Sequence, residues 1–182
     1  MKKIGWILEE PLKVNGMKDK AKRKTLAEQM LVQVGLDASF ADRYPSELSG
    51  GQRQRISIGS ALILNSKFIV ADEPVSALDV TVQSQVLNLL LDLHRSQQLT
   101  YLFISHDLNI VRHFCNRVIV MYLGEIVEEA EVEEIYEDPK HPYTQLLFHS
   151  ILTDERKLQK ITDSEQSRED ASGEGCPFYQ RC

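Results

Sequence analysis

Cysteine is scarce in this sequence, and long apolar segments are missing. The 182 residues include three cysteines, Cys115, Cys176 and Cys182, and such an odd, small number does not indicate a disulfide framework. No apolar run reaches the roughly 18 residues of a membrane-spanning helix. No long apolar segment follows Met1, as it would in a secretory signal. We therefore expect a cytoplasmic protein.

Positive charge is also in short supply. Lysine and arginine number 21 against 27 acidic residues, which gives a net charge of −6. This balance argues against nucleic acid or an anionic membrane surface as the main partner. We interpret the basic cluster at residues 18–24 as a solvated helix face, and the acidic stretch at 128–138 as surface. The length suits one domain, with or without a small subdomain.

The first third of the chain is helical or irregular in pattern. Apolar residues over 26–34 repeat at helical spacing, and Gly35 follows as a C-cap. A second helix is predicted over residues 49–64. It begins at a capping box, with Ser49 as the N-cap and Gln52 three residues later.

A strand-like pattern begins near residue 68. The apolar runs at 68–71 and 101–104 are typical of buried parallel strands, and residues 82–93 between them form one face of a helix. Together they predict a βαβ unit with a right-handed crossover.

The rest of the chain mixes short elements with a polar stretch. We predict a helix over 108–115, two strands at 118–122 and 125–128, and helices within 131–152. Residues 153–175 are polar and are predicted to form a mobile linker.

Polar side chains follow both predicted parallel strands. In an open parallel sheet, ligands bind outside the carboxyl ends of the strands. Asp72 and Glu73 follow the first strand, and one could hold Mg²⁺ through water while the other polarises an attacking water. His106, after the second strand, could contact a phosphate or that water. The alternative is that Asp72 caps the following loop and His106 caps the next helix.

The serine and two glycines at the start of the second helix form another candidate site. Glycine in a helix costs about 1 kcal/mol relative to alanine, so Gly50 and Gly51 weaken this helix. They also let a ligand approach the backbone closely. The helix N-terminus after Ser49 would then favour an anion such as phosphate. The alternative is a plain Gly-Gly turn before a helix.

The order of these segments resembles that of the ABC ATPases. Residues 48–52, LSGGQ, match the ABC signature letter for letter, and residues 68–74, FIVADEP, resemble a Walker B strand with its catalytic glutamate. Residues 76–79, SALD, match the D-loop, and residues 104–107, ISHD, resemble the switch-histidine segment. The resemblance covers nearly the whole chain. It implies an α/β fold: the C-terminal part of a P-loop NTPase domain with a parallel sheet, plus an α-helical signature subdomain.

The resemblance also implies a role for each matching residue, with ATP and Mg²⁺ as cofactors. Catalysis would rest on Glu73 and His106, and Asp72 would serve the metal. The residues that contact ATP would be Ser49, Gly50, Gly51, Gln52 and Asp79. By the same resemblance we expect three parts: a helical signature subdomain (1–65), a partial α/β ATPase core (66–130) and a C-terminal helical extension with a cysteine-containing tail (131–182).

Two segments near the end of the chain resemble one group of ABC ATPases, those of the peptide importers. Residues 141–144, HPYT, resemble a segment typical of oligopeptide and dipeptide importer ATPases, and 175–182, GCPFYQRC, resemble the start of their cysteine motif. In some members that motif holds an iron–sulfur cluster through four cysteines. Cys176 and Cys182 alone do not complete such a site, so we expect no cluster. Nickel remains a possible variant of the substrate.

The phosphate-binding pattern Gly-x-x-x-x-Gly-Lys-Ser/Thr does not occur in the chain. The family places that loop upstream of residue 1, so we expect a chain truncated at both ends. By resemblance, ABC ATPases are head-to-tail dimers in which each ATP lies between the phosphate loop of one subunit and the signature helix of the other. We therefore expect no ATPase activity from this chain alone. At most, its signature residues would complete the site of an ATP that is held by a partner subunit.

The partners implied are a second ABC ATPase subunit, identical or different, and membrane permease subunits, with the chain peripheral on the inner face of the membrane. One alternative is a non-catalytic interaction module that binds a related subunit or permease. Another is a soluble ABC protein acting on nucleic acid, which the acidic balance and residues 141–144 argue against.

Overall fold

The computed structural model describes residues 1–152, 175–179 and 182. These form two compact units, Met1–His106 and Asp107–Cys182. The predicted linker over 153–175 lies, apart from Gly175, outside the described residues. The three-part division at residues 65 and 130 stays a prediction.

The first unit begins with helices. They are α1 (Ile4–Val14), α2 (Lys20–Gln33) and α3 (Gly50–Leu62), with two short 3₁₀ helices, Ala38–Asp42 and Pro45–Glu47, between α2 and α3. The Asp19 side chain caps α2 by accepting from the Lys22 N–H at 3.1 Å. The predicted C-terminal glycine is confirmed, because Gly35 follows α2 with φ +75. The Arg55 side chain of α3 donates to the Val34 carbonyl at 3.1 Å and so ties the two helices together.

These helices approach one another closely at a glycine. A methyl group at Gly59 of α3 would lie 3.1 Å from Met30 Cγ, 3.4 Å from Val34 Cγ1 and 3.6 Å from Leu8 Cδ2. The missing side chain therefore lets α3 sit against both α1 and α2. Leu8 and Val34 are fully buried at this junction, which makes it part of the core of the unit.

The predicted βαβ unit is confirmed. It consists of β1 (Phe68–Asp72), α4 (Val80–Gln97) and β2 (Thr100–Ile104), and the two strands are parallel. Val86, Leu90 and Leu93 form the buried face of α4. The Tyr101 hydroxyl donates to the Leu90 carbonyl at 3.2 Å, which joins β2 to this helix.

In its described residues, the second unit contains a hairpin and three helices. The elements are α5 (Leu108–Phe114), β3 (Arg117–Tyr122), β4 (Glu125–Glu131), α6 (Val132–Glu137) and α7 (Pro142–Leu152). The strands β3 and β4 are antiparallel, as their predicted adjacency suggests. Leu123 and Gly124 join them with φ of 49 and 86, the positive values that a two-residue hairpin turn requires. A small core forms around Val111, Val118, Val120, Val132 and Ile135.

The fold class predicted from the sequence is confirmed, since helices accompany a parallel pair of strands. Within the described part of the chain, none of the helices is both long and apolar enough to cross a membrane.

Truncating Leu8 is expected to destabilise the first unit. Leu8 is 0% exposed and faces the junction at Gly59, so Leu8→Ala should lower the free energy of unfolding by about 2–5 kcal/mol. Urea denaturation followed by circular dichroism measures this. Val14→Ala, at a side chain that is 79% exposed on the same helix, is the control and should change it by less than about 0.5 kcal/mol. Equal effects of the two variants would contradict the described packing.

Candidate functional site

The carboxyl ends of β1 and β2 bring the predicted catalytic pair together. Glu73 directly follows β1, and its backbone N–H donates to the Ile104 carbonyl at the end of β2 at 3.0 Å. His106 lies two residues beyond Ile104. Its Nδ1 is 2.7 Å from Glu73 Oε1. Both side chains are partly or largely exposed, at 41% for Glu73 and 76% for His106, so a ligand in solution can reach them.

The hydrogen bond with His106 holds the pKa of the Glu73 carboxyl below its ordinary value. A smaller contribution in the same direction comes from Ser76, and partial desolvation opposes both. The carboxylate is therefore the dominant form at neutral pH. A carboxylate in this state can accept a proton or orient a water molecule.

The backbone at Glu73 is strained. Its φ of 45 lies in the left-handed region, which costs a non-glycine residue on the order of 1–3 kcal/mol. The contacts that hold it are the bond to Ile104 and the Ser76 hydroxyl, which donates to the Glu73 carbonyl at 3.2 Å. Ser76 belongs to the segment that matches the D-loop, residues 76–79. Sequence reasoning missed that this serine also fixes the turn at Glu73. A serine three residues after a turn residue is the signal that could have found it.

The capping box predicted at the start of α3 is confirmed. The Gln52 N–H donates to Ser49 Oγ at 3.3 Å, and the Ser49 N–H donates to Gln52 Oε1 at 3.0 Å. Arg53, one residue on, donates to the Leu48 carbonyl at 2.5 Å and fixes the chain before the cap. The first-turn N–H groups of Gly50 and Gly51 have no acceptor within the helix. This end of α3 can therefore receive an anion.

The two glycines also let α3 pack against the start of α4. A methyl group at Gly50 would lie 3.1 Å from Leu78 Cδ2, and one at Gly51 would lie only 2.2 Å from Val82 Cγ1. Asp79 caps α4, because its Oδ1 accepts from the Val82 N–H at 3.0 Å. The structure thus places the capped N-terminus of α3 beside the capped N-terminus of α4, with the segment around Leu78 between them.

Asp72, predicted to serve the metal, is the exposed last residue of β1. Among the residues that the structure describes, no group of three or more His, Cys, Asp or Glu side chains could hold a metal ion by itself. Mg²⁺ in nucleotide sites takes one or two carboxylates and completes its shell with phosphate oxygens and water. Asp72, next to Glu73, fits that mode of binding.

The alternative that His106 caps the next helix is wrong. Asp107 is the N-cap of α5, since its Oδ1 accepts from the N–H groups of Asn109 at 2.9 Å and Ile110 at 3.3 Å. Aspartate is among the preferred N-cap residues, and histidine is not.

The tail holds a contact that sequence reasoning missed. His141 Nε2 lies 3.3 Å from Cys176 Sγ, and the Tyr143 N–H donates to His141 Nδ1 at 3.1 Å. Cys176 and Cys182 are both exposed free thiols. The two segments matched by resemblance, 141–144 and 175–182, therefore meet at His141 and Cys176.

Removing the histidine should raise the pKa of Glu73. The folded pKa lies below the ordinary 4.5, so the contact stabilises the fold above that pH and is lost as the pH falls through the folded pKa. In His106→Ala, the pKa of Glu73 should rise toward 4.5. A carbon-detected NMR titration of the glutamate carboxyl measures it. His113→Ala, at another exposed histidine, is the control, and an unchanged Glu73 pKa in His106→Ala would contradict the contact.

Adding a methyl group at Gly51 should strain the packing between α3 and α4. Gly51→Ala is expected to be less stable than Gly50→Ala by about 1–3 kcal/mol, because Val82 leaves no room while the tip of Leu78 can move. Both changes carry the same gain in helix preference, so the comparison isolates the clash. Chemical denaturation of both variants measures the difference. Combining Gly51→Ala with Val82→Ala should recover most of the loss, and purely additive effects would refute the close contact.

Comparison with known proteins shows what this chain is similar to. Residues 1–76 match the family profile "ABC transporter", and residues 127–182 match "Oligopeptide/dipeptide transporter, C-terminal region". The oligopeptide transport ATP-binding protein AppF of Bacillus subtilis is 49% identical over 181 residues, which cover 97% of this chain and 55% of AppF. The dipeptide transport ATP-binding protein DppF of Escherichia coli is 46% identical over 184 aligned residues, which cover 100% of this chain and 55% of DppF.

Solved structures agree with these matches. A dimeric, post-hydrolysis state of the ATP-binding cassette MJ0796, bound to ADP and Pi, aligns with a TM-score of 0.62 and 32% identity. The alignment covers 72% of this chain and 57% of that one. The chain spans slightly more than half the length of the curated relatives that it matches, at 55% for AppF and for DppF. It is a partial ABC ATPase region, and it is similar to the ATP-binding proteins of oligopeptide and dipeptide transport.

Proposed function

We propose that this chain contributes the signature face of an ATP site in an ABC importer of di- or oligopeptides, while a second ATPase subunit contributes the phosphate loop. The observation that carries the proposal is the capped N-terminus of α3 with its two glycines. The names of AppF and DppF support the substrate class, and the dimeric MJ0796 cassette with ADP and Pi supports an ATP site shared by two subunits.

The start of α3 has the donors that a phosphate needs. A hydroxyl can donate one hydrogen bond and accept two, so Ser49 Oγ can still donate while it accepts from Gln52. The N–H groups of Gly50 and Gly51 lie beside it, and neither residue has a side chain to block a close approach. The positive end of the helix dipole adds to the attraction for the phosphates.

Glu73, His106 and Asp72 would act on an ATP whose phosphates are held by a phosphate loop. In that setting the Glu73 carboxylate would orient the attacking water, His106 would position Glu73 and contact the phosphate, and Asp72 would bind Mg²⁺. Mg²⁺ supplies charge neutralisation at the phosphates. Since no segment of the 182 residues fits the phosphate-loop pattern, we propose that the chain alone hydrolyses no ATP.

The assembly that we propose includes a second ABC ATPase subunit and permease subunits, with the chain at the cytoplasmic face of the membrane. A non-catalytic interaction module remains the second candidate, and the missing phosphate-loop pattern favours it. The two candidates differ in whether Ser49 affects ATP turnover.

Adding this chain to a full-length ATPase subunit with a disabled signature should restore ATP turnover. The partner would be full-length Bacillus subtilis AppF in which the residue aligned with Ser49 is changed to arginine, so that a pair of AppF subunits has no working signature. Phosphate release is then measured with and without the chain. We expect the chain to raise turnover and Ser49→Arg to abolish the increase, because arginine fills the space of the phosphate.

Ser57→Arg is the matched control, since Ser57 is exposed on the same helix but two turns away from the cap. It should preserve the stimulation. The chain alone should show no saturable binding of a fluorescent ATP analogue. Stimulation that survives Ser49→Arg would refute the signature role, and binding of the chain to AppF without any stimulation would favour the interaction module.

A further inference from the structure

A cysteine and a histidine in the second unit form a pair that the proposed function does not use. His141, just before α7, has its Nε2 atom 3.3 Å from the Sγ atom of Cys176. This thiol is exposed and forms no disulfide, so a small molecule in solution can reach it. A nucleophile within hydrogen-bond reach of an imidazole that a third group orients is the usual arrangement of an activated nucleophile. Here the third group is the backbone N–H of Tyr143.

The contact with Tyr143 decides which nitrogen of His141 carries the proton. The Tyr143 N–H donates to His141 Nδ1 at 3.1 Å, so Nδ1 is an acceptor and holds no proton. The neutral ring then carries its proton on Nε2, the nitrogen that faces Cys176. The Nε2–H therefore donates to the sulfur. A donor at this position stabilises the negatively charged thiolate more than the neutral thiol, and the thiolate is the form that reacts.

Two further contacts hold the pair in place. Phe178, two residues after the cysteine, is only 3% exposed, and its ring centroid lies 5.5 Å from that of Tyr143 and 5.2 Å from that of Tyr122. This buried ring fixes the segment that carries the thiol. On the histidine side, the Glu128 carboxylate accepts from the backbone N–H of His141 at 3.0 Å. The position of the sulfur therefore follows from packing as well as from its own hydrogen bond.

The charges of this part of the unit favour one class of reagent. The Glu128 carboxylate lies beside His141, and the ammonium group of Lys140 is paired with Asp138. Residues 125–138 include several acidic residues but no lysine or arginine. A cationic reagent is therefore attracted to this part of the unit, whereas an anionic reagent is repelled.

We propose that Cys176 is a modification site, at which the thiolate exchanges with a small cationic disulfide. The Cys176 sulfur attacks one sulfur of the reagent, a new S–S bond forms there, and the S–S bond of the reagent breaks. The other half of the reagent leaves as a thiolate and takes up the proton that the Cys176 thiol released to water. The product is a mixed disulfide at Cys176. This reaction needs neither nucleotide nor a partner subunit, so it goes beyond the proposed function and is tested independently of it.

Cystamine, a small disulfide with an ammonium group at each end, is the probe. The variants Cys182→Ser and Cys176→Ser each keep one of the two exposed thiols, and both keep Cys115, whose thiol pKa is raised by burial. Intact-mass spectrometry follows the rate at which the first half of cystamine is added to each folded chain. We expect Cys182→Ser to react about tenfold faster than Cys176→Ser, because the N–H donor at Cys176 favours its thiolate.

Removing the histidine should remove this difference. In the Cys182→Ser background, His141→Ala should lower the rate by about tenfold, to the rate of Cys182. His113→Ala is the matched control, since His113 is another exposed histidine of the same unit, and it should leave the rate unchanged. With dithiodiglycolate, an anionic disulfide, the ratio of the Cys176 rate to the Cys182 rate should be smaller than with cystamine.

Phe178→Ala tests the positioning of the thiol without changing either member of the pair. It should lower the rate at Cys176, because the segment that carries the thiol then leaves His141. Tyr179→Ala, at a neighbouring side chain that is 72% exposed, is the control and should not lower it. In a denaturing concentration of urea, Cys176 should react no faster than Cys182. Circular dichroism of each variant checks that the chain folds.

Equal rates at Cys176 and Cys182 in the folded chain would overturn the proposal, and so would an advantage of Cys176 that persists in urea. A rate at Cys176 that His141→Ala leaves unchanged would show that exposure alone sets the reactivity. A larger ratio with dithiodiglycolate than with cystamine would refute the cationic class of reagent.

Discussion

The pairing of β1 with β2 is the constraint on which the site depends. The register sets Asp72 opposite Ile104, and the Glu73 N–H continues the ladder by donating to the Ile104 carbonyl. This bond fixes where the chain turns after β1, and it brings His106 to the Glu73 carboxylate. A slip of one residue would turn every side chain of the strand to the opposite face and separate the pair. The electrostatics of Glu73 therefore follow from a backbone register.

The crossover helix connects this pair with the start of α3. Asp79, shortly after the strained turn at Glu73, is the N-cap of helix α4. The first turn of α4 contains Val82, which leaves no room for a side chain at Gly51. The positions of the two helix N-termini are thus coupled through one close contact. A change that moves α4 must also move the capped end of α3. Through this contact, the segment between Glu73 and Asp79 connects the carboxylate at the end of β1 with the capped N-terminus of α3.

The sequence predicted those parts of the structure that depend on local chemistry. Three features could be predicted from residues that are close together in the sequence, and each is confirmed. They are the capping box at Ser49 and Gln52, the glycine after α2 and the βαβ unit. The approach of Glu73 to His106 could be expected from the rule that parallel strands share a carboxyl edge. The left-handed backbone of Glu73 could not be expected, because non-glycine residues rarely adopt it and tertiary contacts hold it there. The role of each residue toward ATP stays a prediction from resemblance.

The exposed sheet face shows why local patterns cannot predict how complete a core is. The runs at residues 68–71 and 101–104 predict strands buried on both sides, yet alternate side chains in those strands remain open to solvent. An apolar run indicates a strand that is stable when both of its faces are buried. It does not indicate which residues cover those faces. Apolar area that is left exposed to solvent contributes nothing to the stability of the fold until it is covered.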